Sequence, residues 1–194
     1  MSTQSSILTK QSTPLLLHEP KVFSNTDELD LIKSISSLID EIIKKNAAKK
    51  LKSKKTIFYC KDSKLQNISV FSYIYYIFSY LNLDFSTILL TLISLQRFLN
   101  FTKDKLSKYN FYKLFITSCY INSKHNEDLS YKCEIYAMIG KINSCELIIL
   151  EREFFKNLDY KLYVKEEVYQ RYFDLIKKGL RRINKNENEN FISL

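Results

Sequence analysis

Apolar residues return every three or four positions from residue 31 onward. Leu31, Ile32, Ile35, Leu38, Ile39, Ile42 and Ile43 form one stripe at helical period. That stripe predicts a first helix over about 26–47, ended by the lysine-rich run "KKNAAKKLKSKK" at 44–55. Asn25 opens it with Glu28 three residues on, a spacing in which two side chains cap each other's amides. After a connector at 50–66, Ser69 can cap a helix carrying Val70, Tyr73, Ile74, Ile77 and Leu81. "NLDF" breaks that helix, and Ser86 or Thr87 is the expected cap of the next. Its sequence, "ILLTLISLQRFLNF", is apolar on nearly all sides, which predicts a central, buried helix. From about 107, "SKYNFYKLFITSCYINSK" places Phe111, Leu114, Phe115, Ser118, Cys119 and Ile121 on a broad face. "DLSYKCEIYAMIGKI" reads as a shorter helix, with Gly140 expected as its left-handed C-terminal cap. Ser144 is the expected cap of a helix striped by Leu147, Leu150, Phe154 and Leu158. A last amphipathic segment carries Val168, Tyr172, Leu175 and Ile176 and fades after Gly179.

The pattern therefore predicts an all-α fold. Five helices between about 68 and 160 form a compact orthogonal bundle around residues 86–99, with one further helix on each side. No heptad persists long enough for a coiled coil. Residues 1–25 are rich in Ser and Thr, hold both prolines and read as a flexible arm, while "NKNENENFISL" reads as a disordered tail.

Composition agrees with helices. Only 2 glycines and 2 prolines occur in 194 residues, too few for the turns of a sheet protein. The net charge of +9 raises nucleic acid as a partner. It is disfavoured because nearly all the cations are lysines, with Arg only at 97, 152, 171, 181 and 182, whereas phosphate and base readout uses the planar fork of Arg. The lysine run is better explained as a solvated segment or a surface for an acidic protein. Cys60, Cys119, Cys133 and Cys145 have no metal-ligand spacing, and His18 and His125 add none, so no metal site is expected. Cys119 lies within an apolar pattern and reads as a reduced core residue. Two glycines cannot build a nucleotide loop or a nucleophile elbow, and neither histidine has a nucleophile and carboxylate arranged around it. No catalytic residue, cofactor or small-molecule substrate is expected. The stretch 68–99 is interrupted by Ser, Asn, Asp and Thr, so no membrane span is expected, and "MSTQSSILTKQSTP" lacks the parts of a signal peptide. A soluble protein of the cytoplasm or nucleus, acting by contact, is the expectation.

Four segments carry a resemblance to a known family. "ISVFSYIYYIFSYLNL" (68–83), "STILLTLISLQRFL" (86–99), "KLFITSCYINSKHNED" (113–128) and "YAMIGKINSCELIILEREFFKNLDYKL" (136–162) resemble, in order and spacing, the helices of the cyclin box. The likeness is to the P-type (P/U, phosphate-system-like) cyclins. Its most specific part is Tyr136, Gly140 and Ile142 before a Leu-x-x-Leu-Glu-x-x-Phe helix that ends in Leu-Asp-Tyr-x-Leu. The resemblance covers about 65–165 and implies a single cyclin box there. With the pattern read above, the chain divides into a flexible arm at 1–25, an N-terminal helix at 26–50, the box at 65–165, a C-terminal helix at 166–180 and a disordered tail at 181–194. The resemblance also implies a regulatory subunit that binds a cyclin-dependent protein kinase and activates it by holding the kinase's regulatory helix in its active position.

By position, Lys124 matches the family's lysine at the end of the third box helix and Glu151 its glutamate in the fifth, the polar pair that grips the kinase. Phe115, Phe154 and Phe155 are the candidates for the apolar part of that contact. Three departures accompany the likeness. Gln96 stands where the family has an Asp that bridges to an Arg near the first helix, and residues 1–96 contain no Arg. His125 and Asn126 replace a Phe and an acidic residue. The first box helix lacks the patch with which mitotic cyclins recruit substrates. The alternative reading is a helical adaptor that binds a non-kinase protein or, like transcription factors of the same fold, nucleic acid.

Overall fold

With so few glycines and prolines the chain has little to interrupt a helix, and helices dominate it. The computed structural model describes residues 21, 26–49, 56–60 and 63–192, with side chains at 21, 28–49, 56–60 and 65–179. Among these residues there is no strand. The helices are α1 (Thr26–Ala48), α2 (Ser63–Gln66), α3 (Val70–Leu81), α4 (Phe85–Thr102), α5 (Phe111–Asn126), α6 (Cys133–Ile139), α7 (Ser144–Asn157) and α8 (Glu166–Ile192). Helices α3 to α7 are the five-helix bundle. Outside it, α1 packs on α3 and α8, and α8 also reaches α4. No helix among the described residues is long and apolar enough to cross a membrane.

The centre of the bundle is α5, not the expected 86–99. From Phe111 to Ser123 every residue except Lys113 is buried, and α4, α6 and α7 all pack on this helix. The hydropathy pattern obscures this because α5 is studded with small polar residues. Each of them is satisfied inside the bundle. The Thr117 hydroxyl donates to the Lys113 carbonyl (2.7 Å) and Ser118 to the carbonyl of Thr91 on α4 (2.9 Å). Asn122 donates to the Ser118 carbonyl (2.8 Å) and accepts from Ser94 (3.2 Å). Tyr136 of α6 donates to Ser123. No buried side-chain nitrogen or oxygen among the described residues lacks a partner. Burying these groups therefore avoids the penalty of unsatisfied polar atoms, and their small size lets α4 lie close to α5.

Several helix ends differ from expectation. Ser69 caps α3 as its position implies, accepting from the Ser72 amide at 3.0 Å. At α4, however, the cap residue is Asp84, and the carboxylate that serves this end comes from Glu127, which accepts from the Asp84 amide (3.1 Å) and the Thr87 hydroxyl. At α7 the cap is Asn143 rather than Ser144, its side chain accepting from the Cys145 amide at 2.8 Å. Gly140 is right-handed, with φ −71°, and the left-handed residue is Lys141 at φ 56°. Gly140 serves proximity instead: a Cβ there would stand 2.6 Å from Cγ1 of Ile116 in the core of α5. Gly179 likewise does not stop its helix. A Cβ at Gly179 would meet the Ser34 hydroxyl at 2.4 Å, so the glycine lets α8 cross α1 closely, and the backbone stays helical to Ile192. The helix thus runs past the expected end at 180 into the segment read as a tail, through residues of good helix propensity (Leu180, Arg181, Arg182, Glu187, Glu189); residues 193 and 194 lie outside the described residues. Residues 1–20, Asn25 and the end of the lysine run at 50–55 lie outside the described residues.

Burial separates the four thiols. Cys60 and Cys119 are buried, Cys133 is half-buried and Cys145 is exposed. Burial pushes the Cys119 thiol up to about 12, so it stays protonated at neutral pH. Brief treatment of the native protein with iodoacetamide at pH 7.5, followed by peptide mass spectrometry, is expected to label Cys145 first and to leave Cys60 and Cys119 unmodified. Rapid labelling of Cys119 without denaturant would contradict this packing.

Candidate functional site

Where α5 and α7 cross, two opposite charges 27 residues apart in sequence come together. Lys124 occupies the last turn of α5, where the helix dipole favours a cation. Glu151 lies in the middle of α7. The Lys124 Nζ donates to Glu151 Oε1 at 2.8 Å, with side chains 46% and 16% exposed. The two residues matched by position to the family's polar pair are thus bonded to each other. One of three ammonium donors is used by Glu151, and the carboxylate's Oε2 has acceptor sites to spare.

The surroundings are apolar. On α7, Ile148 precedes Glu151 by three residues and Phe155 follows by four, so all three share a flank of the helix. Ile148 is 46% exposed, and Phe155 is half-buried and stacks on Tyr160 with ring centroids 6.2 Å apart. On α5, Tyr120 lies one turn before Lys124, and its ring centroid is 4.9 Å from the Lys124 ammonium. Burial, with a hydrogen bond to the Cys133 thiol, pushes the Tyr120 hydroxyl well above the usual phenol range. The same burial raises the Cys133 thiol.

Phe115 and Phe154 do not belong to this face. Both are 0% exposed. Phe115 packs against Tyr73, Phe78 and Phe111, and Phe154 stacks on Phe98. The reason is the helical turn: Phe154 continues the inward stripe of Leu147 and Leu150, and its neighbour Phe155 is rotated by about 100° out of it. Of the three candidate phenylalanines, only Phe155 reaches the surface.

The residues after Lys124 depart from the family pattern and have their own task. Asn126 donates to the hydroxyls of Ser86 (3.0 Å) and Thr87 (2.8 Å), and Glu127 serves the same end of α4. Together they clamp the C-terminus of α5, and with it Lys124, to the N-terminus of α4. Gln96 donates to Asn100 of its own helix at 3.0 Å, so this position carries no tie between helices. A second ion pair went unread in the sequence. Lys113, 14% exposed, meets Glu146 at 2.6 Å and reaches the carbonyls of Ile57 (3.4 Å) and Tyr59 (3.5 Å). Among the described residues no group of three or more His, Cys, Asp or Glu is placed to hold a metal ion.

A family model described as Cyclin matches residues 21–162, which takes in α1 as well as the bundle. Cyclin-U4-3 of Arabidopsis thaliana is 30% identical over 120 residues, 61% of this chain and 55% of its own length. Cyclin-P3-1 of Oryza sativa subsp. japonica is 27% identical over 153 residues, 77% of this chain and 64% of its own. Cyclin-U2-2 of Arabidopsis thaliana is 29% identical over 160 residues, 77% of this chain and 69% of its own. The matched region thus spans 55 to 69% of the length of these relatives.

Proposed function

The chain belongs to the cyclin family, its relatives being P- and U-type cyclins, and from that premise we propose that it binds and activates a cyclin-dependent protein kinase through the Lys124–Glu151 face. The observation that carries the reading is the ion pair itself, 2.8 Å across and open to solvent on an apolar flank. A helix start offers unsatisfied amides, and the loop before it offers carbonyls. Glu151 can accept from the first and Lys124 can donate to the second, so the pair fixes both the position and the direction of a partner helix.

Activation on this reading is a population shift. The free kinase keeps its regulatory helix displaced, and the glutamate on that helix then misses the lysine that positions ATP phosphates. Moving such an equilibrium from 1:99 to 99:1 takes about 5.5 kcal/mol of preference for the active state. An exposed ion pair contributes about 0–1 kcal/mol, so it orients more than it drives. The remainder calls for roughly 200 Å² of apolar surface buried in the active state alone, at about 25 cal/mol per Å². Ile148 and Phe155 are the parts of the face suited to that burial.

The test is capture of the full chain from its native cells, followed by phosphotransfer assays with each kinase that co-purifies. The expected result is a cyclin-dependent kinase whose activity rises on adding the purified chain. Capture of protein partners without any kinase, or of a kinase whose activity does not change, would overturn it.

A further inference from the structure

A lysine at the end of a helix has four rotatable side-chain bonds and, at 46% exposure, little to restrain them. Yet the Lys124 ammonium has a defined place, and the reason lies beneath it. We propose that Tyr120 is a positioning residue of the docking face: its ring is the floor that holds the Lys124 ammonium beside Glu151, where a partner's carbonyls can reach it. This inference rests on the kinase-docking reading and adds a residue that the resemblance does not mark.

The geometry supports it in three ways. First, Tyr120 and Lys124 are one turn apart, so both side chains emerge on the same side of α5. The ammonium lies 4.9 Å from the ring centroid, inside the range of about 6 Å over which a ring face attracts a cation. Second, the floor cannot tilt away. Tyr120 is 6% exposed, and its ring lies 5.0 Å from that of Tyr136. Tyr136 is itself fully buried and bonded to Ser123. Third, the same ammonium is bonded to Glu151, 16% exposed and 2.8 Å away, so ring and carboxylate hold it together. The lysine side chain, 46% exposed, still leaves the cation open to solvent. An aliphatic side chain at position 120 would fill the space without attracting the charge. A phenylalanine would keep the attraction and lose only the hydroxyl.

The experiment compares wild type, Tyr120→Phe and Tyr120→Leu, each with Lys124 intact or as Lys124→Ala. Two quantities are read: the NMR shift of the Lys124 Hε protons, and affinity for the captured kinase. The ring should move the Hε protons upfield in wild type and Tyr120→Phe and lose that effect in Tyr120→Leu. Tyr120→Leu should weaken kinase binding about two- to fivefold and Tyr120→Phe should preserve it. In the Lys124→Ala background Tyr120→Leu should cost nothing more. An equal cost in both backgrounds would overturn the proposal, because Tyr120 would then act through the fold. Absence of the upfield shift in wild type would also overturn it. If Lys124→Ala binds the kinase as wild type does, the docking reading itself fails, and the proton shift alone still decides whether the floor exists.

Discussion

Phe154→Ala lowers the melting temperature by about 6–20 °C, the result expected when an aromatic ring is removed from a closed core. Phe154 is 0% exposed and stacks on Phe98 with centroids 4.7 Å apart and planes 14° apart. Phe58 stands edge-on to both, at 6.2 Å from Phe154 and 4.9 Å from Phe98. The three rings join α7, α4 and the segment before the bundle, so their neighbours cannot collapse into the space without moving a helix. Truncations of this kind cost about 3–5 kcal/mol. Phe155→Ala, one residue on, removes a half-buried ring and should cost about 1 kcal/mol. Thermal unfolding followed by circular dichroism measures both. A Phe154→Ala protein that melts with wild type would place the ring outside the core, and with it the inward stripe of α7.

The two phenylalanines show where a sequence stops being informative. Helical period places residues 147, 150, 154 and 158 on one side of α7, and that reading alone assigns Phe154 to the interior. Resemblance to a family marks a whole helix as part of a docking surface and does not by itself separate its two sides. The centre of the bundle was hidden for a different reason. Hydropathy treats Thr117, Ser118, Asn122 and Ser123 as solvent-seeking, whereas bonds to Lys113, Thr91, Ser94 and Tyr136 make α5 the most enclosed helix. Apart from Lys113, one turn from Thr117, those partners lie 13 to 28 residues away, outside the window of one helical turn. Glu127 at the start of α4 is the same case. Local capping rules point to Ser86 or Thr87, and the structure answers with a carboxylate 43 residues downstream of Asp84. What was legible was whatever repeats along one helix: the seven longer helices, their order and the inward stripes, whereas the four-residue α2, inside the expected connector at 50–66, is too short to carry a stripe. Lys124 and Glu151 were found by resemblance, and Tyr120 by neither route, although its place four residues before Lys124 is a signal that a search for ring–cation pairs would detect.

Reversing the docking pair separates an internal tie from a surface that addresses a partner. Lys124→Ala and Glu151→Ala each should leave helix content and melting nearly unchanged, because a solvent-exposed pair contributes about 0–1 kcal/mol. Each should reduce kinase activation by at least about tenfold, which corresponds to roughly 1.4 kcal/mol of lost preference for the active complex. The decisive protein is the double exchange Lys124→Glu with Glu151→Lys. Its two side chains again attract each other, so it should stay folded. It should melt only slightly below wild type, because a carboxylate at 124 meets the helix C-terminus and the Tyr120 ring, a cost of about 1 kcal/mol. Its signs are exchanged, however, and a partner's amides and carbonyls stay where its own backbone puts them. A carboxylate would face carbonyls and an ammonium would face amides, so like partial charges meet and activation should remain at the level of the single variants or below. Circular dichroism and a phosphotransfer assay on the same four proteins read both halves of the argument. Full activation by the double exchange would mean that the pair serves only to tie α5 to α7, since a brace works in either polarity and a recognition pair does not.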